Sequence, residues 1–318
     1  MGGRMYDVII IGAGSSGLTA AVYSARKNLK TLLTSKDIGG QLNWTLGVEN
    51  YMGYQFIEGP ELIHKFEEQV KQFPIDIVIG ENLRGISRTD SGFEVRTEGG
   101  VVYQGLTLIV CTGKRPRSLD VPGEKELIGR GVSYCATCDG PLFKGLKVAV
   151  IGGGNSALEA ADDLIKIAER VYVVSLTPLT GDQILIDRIK ASPNAVILTQ
   201  CETLAVMGDK LVKGITVKQL RGNEMTNLDV EGVFVEIGLI PNSDLVKGLV
   251  VLNGHGEIEV SCSNETGVPG LYAAGDVTNV PEKQIVVAAG EGAKAALQAH
   301  RYLQRLTRRD PPPGSGTL

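Results

Sequence analysis

The sequence lacks the features that would tie it to a membrane, a nucleic acid or the outside of a cell. No apolar run approaches the roughly 18 residues that a membrane helix needs. The N-terminus runs into Asp7-Val8-Ile9-Ile10-Ile11-Gly12 without the cleavage pattern of a secretory signal. Neither sign of charge is in large excess: 32 Lys and Arg face 36 Asp and Glu. The net charge of −4 gives no general attraction for nucleic acid or an acidic membrane. Five cysteines in 318 residues are too few for a secreted disulfide scaffold. The three histidines, His64, His255 and His300, stand far apart and carry no motif. A cytoplasmic protein is the expectation, long enough for two domains with separate cores.

Glycine, by contrast, is placed with purpose. The β-branched run 7–11 leads into Gly12-Ala13-Gly14-Ser15-Ser16-Gly17, then a helix-forming stretch to about Lys30 and a second apolar run to Thr34. In such a strand–turn–helix unit the first glycine permits the tight turn and the second lets backbone approach a pyrophosphate. The third allows the helix to pack on the strand. The pattern returns at Lys147-Val148-Ala149-Val150-Ile151-Gly152-Gly153-Gly154-Asn155-Ser156-Ala157, an internal repeat. The fold class expected is α/β: two doubly wound dinucleotide-binding (Rossmann-like) units, the second inserted into the first. Turn-like composition from Lys114 and at Ile240-Pro241-Asn242 marks the crossings. The expected domains are therefore 1–113 with 243–318, and 114–242.

Helices are expected over 60–72 and 284–306, and strands over 77–79, 93–97, 101–103, 106–111, 170–174, 196–199, 212–219, 233–237 and 271–277. The tail from Arg308, with Pro311-Pro312-Pro313, is expected to be mobile. Neither second strand ends in the acid that would bind ribose hydroxyls: Thr34 and Ser35 stand in one place and Ser175 in the other.

Between the two cradles lies Ser133-Tyr134-Cys135-Ala136-Thr137-Cys138-Asp139-Gly140. A Cys-x-x-Cys beside an acid suits thiol–disulfide exchange. One thiolate attacks a partner disulfide, the other resolves the mixed disulfide, and Asp139 moves the proton. A zinc site would need four ligands, and Cys111, Cys201 and Cys262 are scattered. Cys111 and Cys262 read as buried, apolar-like residues at strand ends. A non-catalytic flavin- or zinc-binding protein is the alternative from another class.

Over about residues 5–306 the chain resembles the low-molecular-weight thioredoxin reductases of bacteria and archaea. The resemblance rests on Gly12–Gly17, Gly39-Gly40-Gln41-Leu42, Val48-Glu49-Asn50, the Cys135–Gly140 run, Gly152–Ala157 and Ala273-Ala274-Gly275-Asp276-Val277. It implies FAD in the first domain, a homodimer, and thioredoxin or a similar dithiol protein as partner. It also implies a dithiol on the inserted domain, which rotates to present it alternately to flavin and partner. The FAD site it implies comprises Gly12, Gly14, Ser15, Ser16, Thr34, Gly39, Gly40, Gln41, Leu42, Asn50, Thr112, Gly113, Gly275 and Asp276. Lys283, Gln284 and Ile285 would lie near the ring, with lysine where the family usually has arginine. Trp44 follows the Gly-Gly-Gln-Leu run and would either shield the flavin or serve packing.

One departure affects the electron donor. The family's NADPH loop reads His-Arg-Arg with a further arginine downstream, and here those positions are Ser175, Leu176, Thr177 and Gly181. NADPH is therefore doubtful, and the chain resembles the ferredoxin-dependent members of the family. A plant-type ferredoxin near −400 mV and thioredoxin near −270 mV leave roughly 6 kcal/mol downhill for two electrons. Ferredoxin is the expected donor; Lys114, Arg115 and Arg117 are candidate docking residues, set against the reading of a solvated linker, which the turn-like composition there favours. The alternative is NADPH or NADH held through unconventional contacts. A related peroxide-reductase flavoprotein would carry an additional N-terminal dithiol domain, which this sequence does not include.

Overall fold

A computed structural model describes residues 5–45 and 47–309, without the side chains of Trp44, Arg308 and Arg309. The chain divides into two units: the first holds residues up to Asn43, Pro60–Arg115 and from Ile240 onward, and the second holds Trp44–Gly59 and Pro116–Leu239. Residues 44–59, read from the sequence as part of the first domain, thus group with the second unit. The expected tail beyond residue 309 lies outside the described residues.

The first unit starts with β1 (Met5–Ala13), α1 (Ser15–Arg26), β2 (Thr31–Ile38) and α2 (Gly59–Lys71). It continues through β3 (Asp76–Ile79), β4 (Leu83–Thr89), β5 (Gly92–Thr97) and β6 (Val102–Val110). The runs expected at 101–103 and 106–111 are one strand. In β6, residues 102–105 pair antiparallel with β5, while residues 104–110 lie parallel to β1 on the other side. The sheet order is β3-β2-β1-β6-β5-β4. Alternation along β1 buries both faces, as a covered parallel strand requires. Val8 and Ile10 face one cluster with Leu18 and Ala21 of α1, and Ile9 and Ile11 face another with Leu108 and Val110.

A short strand, β7 (Lys114–Pro116), leads to the second unit. There follow β8 (Val132–Ser133), α3 (Ala136–Asp139), β9 (Lys147–Ile151), α4 (Asn155–Leu164), β10 (Arg170–Ser175), α5 (Gln183–Ala191) and β11 (Ala195–Thr199). Next come β12 (Cys201–Gly208), β13 (Val212–Gln219), β14 (Met225–Leu228) and β15 (Gly232–Val235). The parallel sheet runs β11-β10-β9-β15-β8, and β12-β13-β14 form a separate antiparallel sheet. The repeat extends to the packing: Val148 and Val150 of β9 face one cluster, Ala149 and Ile151 the other.

The chain returns through β16 (Leu239–Pro241), adds β17 (Leu271–Ala273) parallel to residues 108–110 of β6, and ends in α6 (Ile285–Arg309). Gly292 lets α6 close on α1, since a Cβ there would collide with the Ser16 backbone. Among the described residues, no helix is long and apolar enough to cross a membrane. Cys262, expected to be buried at a strand end, is exposed. The chain turns there, with Asn264 N donating to Ser261 O, so the strand does not extend.

Candidate functional site

The first cradle is made by close approach of backbone. Gly12 has φ +104°, and a Cβ there would collide with the Cys111 carbonyl at the end of β6. A Cβ at Gly17 would strike the Gly12 carbonyl, so α1 sits directly on the turn. Gly14 differs, its nearest neighbour being the Gly39 carbonyl at 4.0 Å. No side chain caps α1 at Gly14. The first amides of the helix are thus offered to an anion on the open face. Ser15 and Ser16 are buried, and burial pushes the Cys111 thiol up to about 12 despite a hydrogen bond with Ser16. At the end of β2, Thr34 Oγ1 is buried without a hydrogen-bond partner.

The Gly-Asp turn after β17 meets this cradle. Gly275, at φ +78°, packs against Ser16, and its N–H donates to the buried Glu291 at 2.8 Å. Gln41 Nε2 donates to Asp276 Oδ2 at 2.9 Å. Burial pushes the Asp276 carboxyl up, opposed by Lys283. Lys283 donates to Thr278 O at 2.6 Å and pairs with Glu257 at 3.2 Å, and Lys114 pairs with the same carboxylate. Burial disfavours the charge on Glu257, yet bonds from Lys114, Asn253 and Lys283 hold it at about 2. Burial, and then Lys114, push Lys283 down.

These contacts bring Gly12, Gly14, Ser15, Ser16, Gly39, Gln41, Gly275, Asp276 and Lys283 into one region. A Cβ at Gly39 would collide with Ile63, while Gly40 has open space and Leu42 is buried. Thr112 and Gly113 are instead tied to Asn242, which bonds the Thr112 carbonyl at 2.8 Å and the Gly113 carbonyl at 3.0 Å. Gln284 O accepts from Ala288 N at the start of α6, where Ile285 is the first residue. Asn50 is exposed on 44–59, grouped with the second unit. The Trp44 side chain lies outside the described residues. Lys114 does not join an exposed basic patch, because its side chain is only 9% exposed against Glu257.

The second cradle is as open as the first. Gly152 has φ +145° beneath the Glu236 carbonyl, Gly154 has nothing within 4 Å of a Cβ, and no side chain caps α4. A cleft of about 380 Å³ opens here, lined by Gly152–Ser156, Ser175–Thr177 and Glu236–Gly238. Its lining contains one ionisable side chain, Glu236, and no cation. Thr180 N donates to Gly153 O and Asp182 N to Asn155 Oδ1, both at 2.7 Å, folding the loop onto the first turn of α4. Gly181 packs against the Leu158 and Asn155 side chains, which would have to shift to admit a Cβ.

The dithiol turn lies in the same unit. Cys135 and Cys138 form a disulfide with Cα atoms 5.3 Å apart. Cys135 is the N-cap of α3, and its Sγ accepts from Cys138 N at 3.2 Å. Ser133 Oγ accepts from Cys135 N at 3.1 Å and donates to Asp139 Oδ2 at 2.6 Å. Asp139 is 5% exposed, and its Oδ1 is buried without a partner. Burial pushes its carboxyl up to about 6, against the Ser133 hydrogen bond. Sequence reasoning missed Glu236, whose Oε1 accepts from Ala136 N at 3.2 Å. Nothing local marks a residue that reaches the turn from 100 positions away.

A family model described as pyridine nucleotide-disulphide oxidoreductase matches residues 6–292. An alkyl hydroperoxide reductase component of Pseudomonas putida is 45% identical over 306 residues, covering 94% of this chain and 58% of that protein. NADH dehydrogenase of Bacillus subtilis is 42% identical over 301 residues, covering 94% of this chain and 59% of that protein. The chain thus spans just under three fifths of these curated relatives. The thioredoxin reductase of Streptococcus pyogenes superposes with a TM-score of 0.91 at 35% identity, covering 96% of this chain and 100% of that one.

Proposed function

The chain belongs to the pyridine nucleotide-disulphide oxidoreductase family, and on that premise we propose that it reduces a thioredoxin-like dithiol protein with electrons from NADH. It is an FAD-dependent disulfide oxidoreductase. One observation carries the proposal: the second unit holds both a Cys-x-x-Cys disulfide and an open phosphate cradle whose cleft contains no cation.

Bound FAD would supply the electron pair that opens the disulfide. Its pyrophosphate fits the open face of Gly14 and the α1 amides, framed by Gly12, Ser15 and Ser16. Asp276 with Gln41 suits the hydroxyls, and Thr34, whose side chain has no exposed surface, is assigned to the wall behind the site. Lys283, Gln284 and Ile285 are assigned to the ring. Gly39, Gly40, Leu42, Thr112, Gly113 and Gly275 are assigned to the rim. The dithiol then works by exchange: one thiolate attacks the partner disulfide, and the other displaces the reduced partner. Asp139 takes the proton from the attacking thiol. The resemblance to thioredoxin reductases is also the ground for proposing a homodimer, which light scattering tests.

The donor reading rests on two supports. A relative named NADH dehydrogenase is 42% identical over 94% of this chain, and a cleft without arginine or lysine has nothing to pair with a 2′-phosphate. Anaerobic titration of the flavin absorbance is expected to show rapid bleaching by NADH, with NADPH at least about 100-fold weaker for want of two charge-assisted bonds. A second reading, ferredoxin as donor, is favoured by the missing acid at Ser175 and the missing cations of the 175–181 loop. Bleaching by reduced ferredoxin and not by NADH would replace the first reading with the second.

Asp139 gives a further expectation. Its raised carboxyl is protonated below about 6 and a base above it, so exchange with the partner rises as pH passes through that value. Asp139→Asn is expected to remove this limb and slow exchange by about 10²-fold, the usual scale of a lost general base. Stopped-flow of the prereduced enzyme against its partner, from pH 5 to 8, measures both. An unchanged profile in the variant would remove Asp139 from the proton transfer.

A further inference from the structure

The dithiol turn is held from two sides, and only Asp139 belongs to its own sequence. The other hold is Glu236, the first residue past β15. That strand lies between β9 and β8, so its end reaches both the Gly152 turn and the Cys135 turn. Glu236 N donates to Ile151 O at 2.8 Å. Its side chain accepts from Ala136 N at 3.2 Å, the amide that follows Cys135 directly. The same residue lines the nucleotide cleft.

Opening the disulfide takes two electrons and two protons, breaks the S–S bond and leaves two thiols. The reduced form gains stability when one thiol ionises against nearby donors, which makes the couple more oxidising. Cys135 Sγ already accepts from Cys138 N, so a sulfur at this position draws on the turn's amides. A carboxylate on the adjacent Ala136 amide occupies a donor and sets a negative charge beside any thiolate.

We propose that Glu236 is a positioning residue whose charge disfavours the Cys135/Cys138 thiolate and so makes this dithiol a stronger reductant. This rests on the reading of Cys135 and Cys138 as the redox couple. Burial, then the like charge of Glu159 on α4, push Glu236 up to about 7, so the charge is present at pH 8. No cation is among the groups acting on it. Asp139 is engaged separately by Ser133.

The test is to equilibrate holoenzyme anaerobically at pH 8 with dithiothreitol buffers of graded ratio, quench in acid, and count alkylated Cys135 and Cys138 by mass. Glu236→Gln keeps an acceptor for Ala136 N and removes the charge. It is expected to shift the equilibrium toward the dithiol about tenfold, or about 30 mV for a two-electron couple. The pH at which iodoacetamide begins to react should fall in the same variant. The exposed Glu159→Gln keeps the measurement available should Glu236→Gln not fold. At pH 7 it is expected to shift the equilibrium about twofold the opposite way, because Glu236 then ionises more fully. Values within the wild-type error in both variants would overturn the proposal. A shift in Glu236→Ala without one in Glu236→Gln would also overturn it, leaving a hydrogen-bond role alone. If wild type yields no thiols at 135 and 138 under any buffer, the redox reading itself fails.

Discussion

Cys135→Ser and Cys138→Ser are each expected to cut reduction of the partner disulfide by about 10³-fold or more, the scale seen when a covalent catalyst loses its nucleophile. A hydroxyl neither ionises near neutral pH nor forms the mixed disulfide, so no partial route remains. The fold has little reason to change. Serine is close in size to cysteine and caps a helix well, and Cys135 already has the extended N-cap conformation, φ −147° and ψ 96°. The first cradle belongs to the other unit, so both variants should purify with full flavin absorbance. The same pair of proteins identifies the attacking thiol. The variant that retains the nucleophile accumulates a stable mixed disulfide with the partner, because its resolving thiol is gone. Turnover retained in either variant would remove the dithiol from the reaction.

The two phosphate cradles and the dithiol were legible in the sequence because each is local. A strand, a glycine turn and a helix fit within about thirty residues, and the repeat at a constant offset made the second cradle visible beside the first. Alternation along β1 and β9 then buries both faces as the apolar runs imply. Less legible were the elements with weak apolar signal. β14 carries Met225-Thr226-Asn227-Leu228 and is nearly all exposed, and α5 buries only Ile186 and Ile189. Strand pairing rather than periodicity defines β4 and β12.

The donor could not be settled by counting arginines. Absent charges argue against NADPH, but they do not close a cradle whose Gly154 remains open. The basic residues offered as a ferredoxin dock illustrate the limit of reading charge along a chain. Lys114 is turned inward onto Glu257 and Arg115 bonds Asn242. Glu236 is the converse case. In sequence it is one acid at the end of an apolar strand, and it acquires a role only through the parallel register that sets β15 between β8 and β9.

Gly12→Ala and Gly14→Ala should separate two roles of the first cradle. At Gly12 the backbone has φ +104°, which a side chain rarely adopts, and a Cβ would also collide with the Cys111 carbonyl. Strain of that kind costs about 1–3 kcal/mol, and relief requires the β1–α1 turn to move away from β6. Gly12→Ala is therefore expected to lower the melting temperature of the apoprotein and to purify without flavin. At Gly14 the backbone is extended and a Cβ meets nothing nearer than 4.0 Å. The apoprotein should thus melt as wild type does. The methyl group would nevertheless stand on the face assigned to the pyrophosphate, where close backbone approach is the reason for glycine. Gly14→Ala is expected to weaken FAD binding by about tenfold or more, since each lost charge-assisted bond is worth about 1.5–3 kcal/mol. Thermal melts of the apoproteins, with FAD titrations followed by flavin fluorescence, give both quantities. Wild-type FAD affinity in Gly14→Ala would mean that the phosphates do not lie on that open face, and the cradle would have to be reassigned to the fold alone.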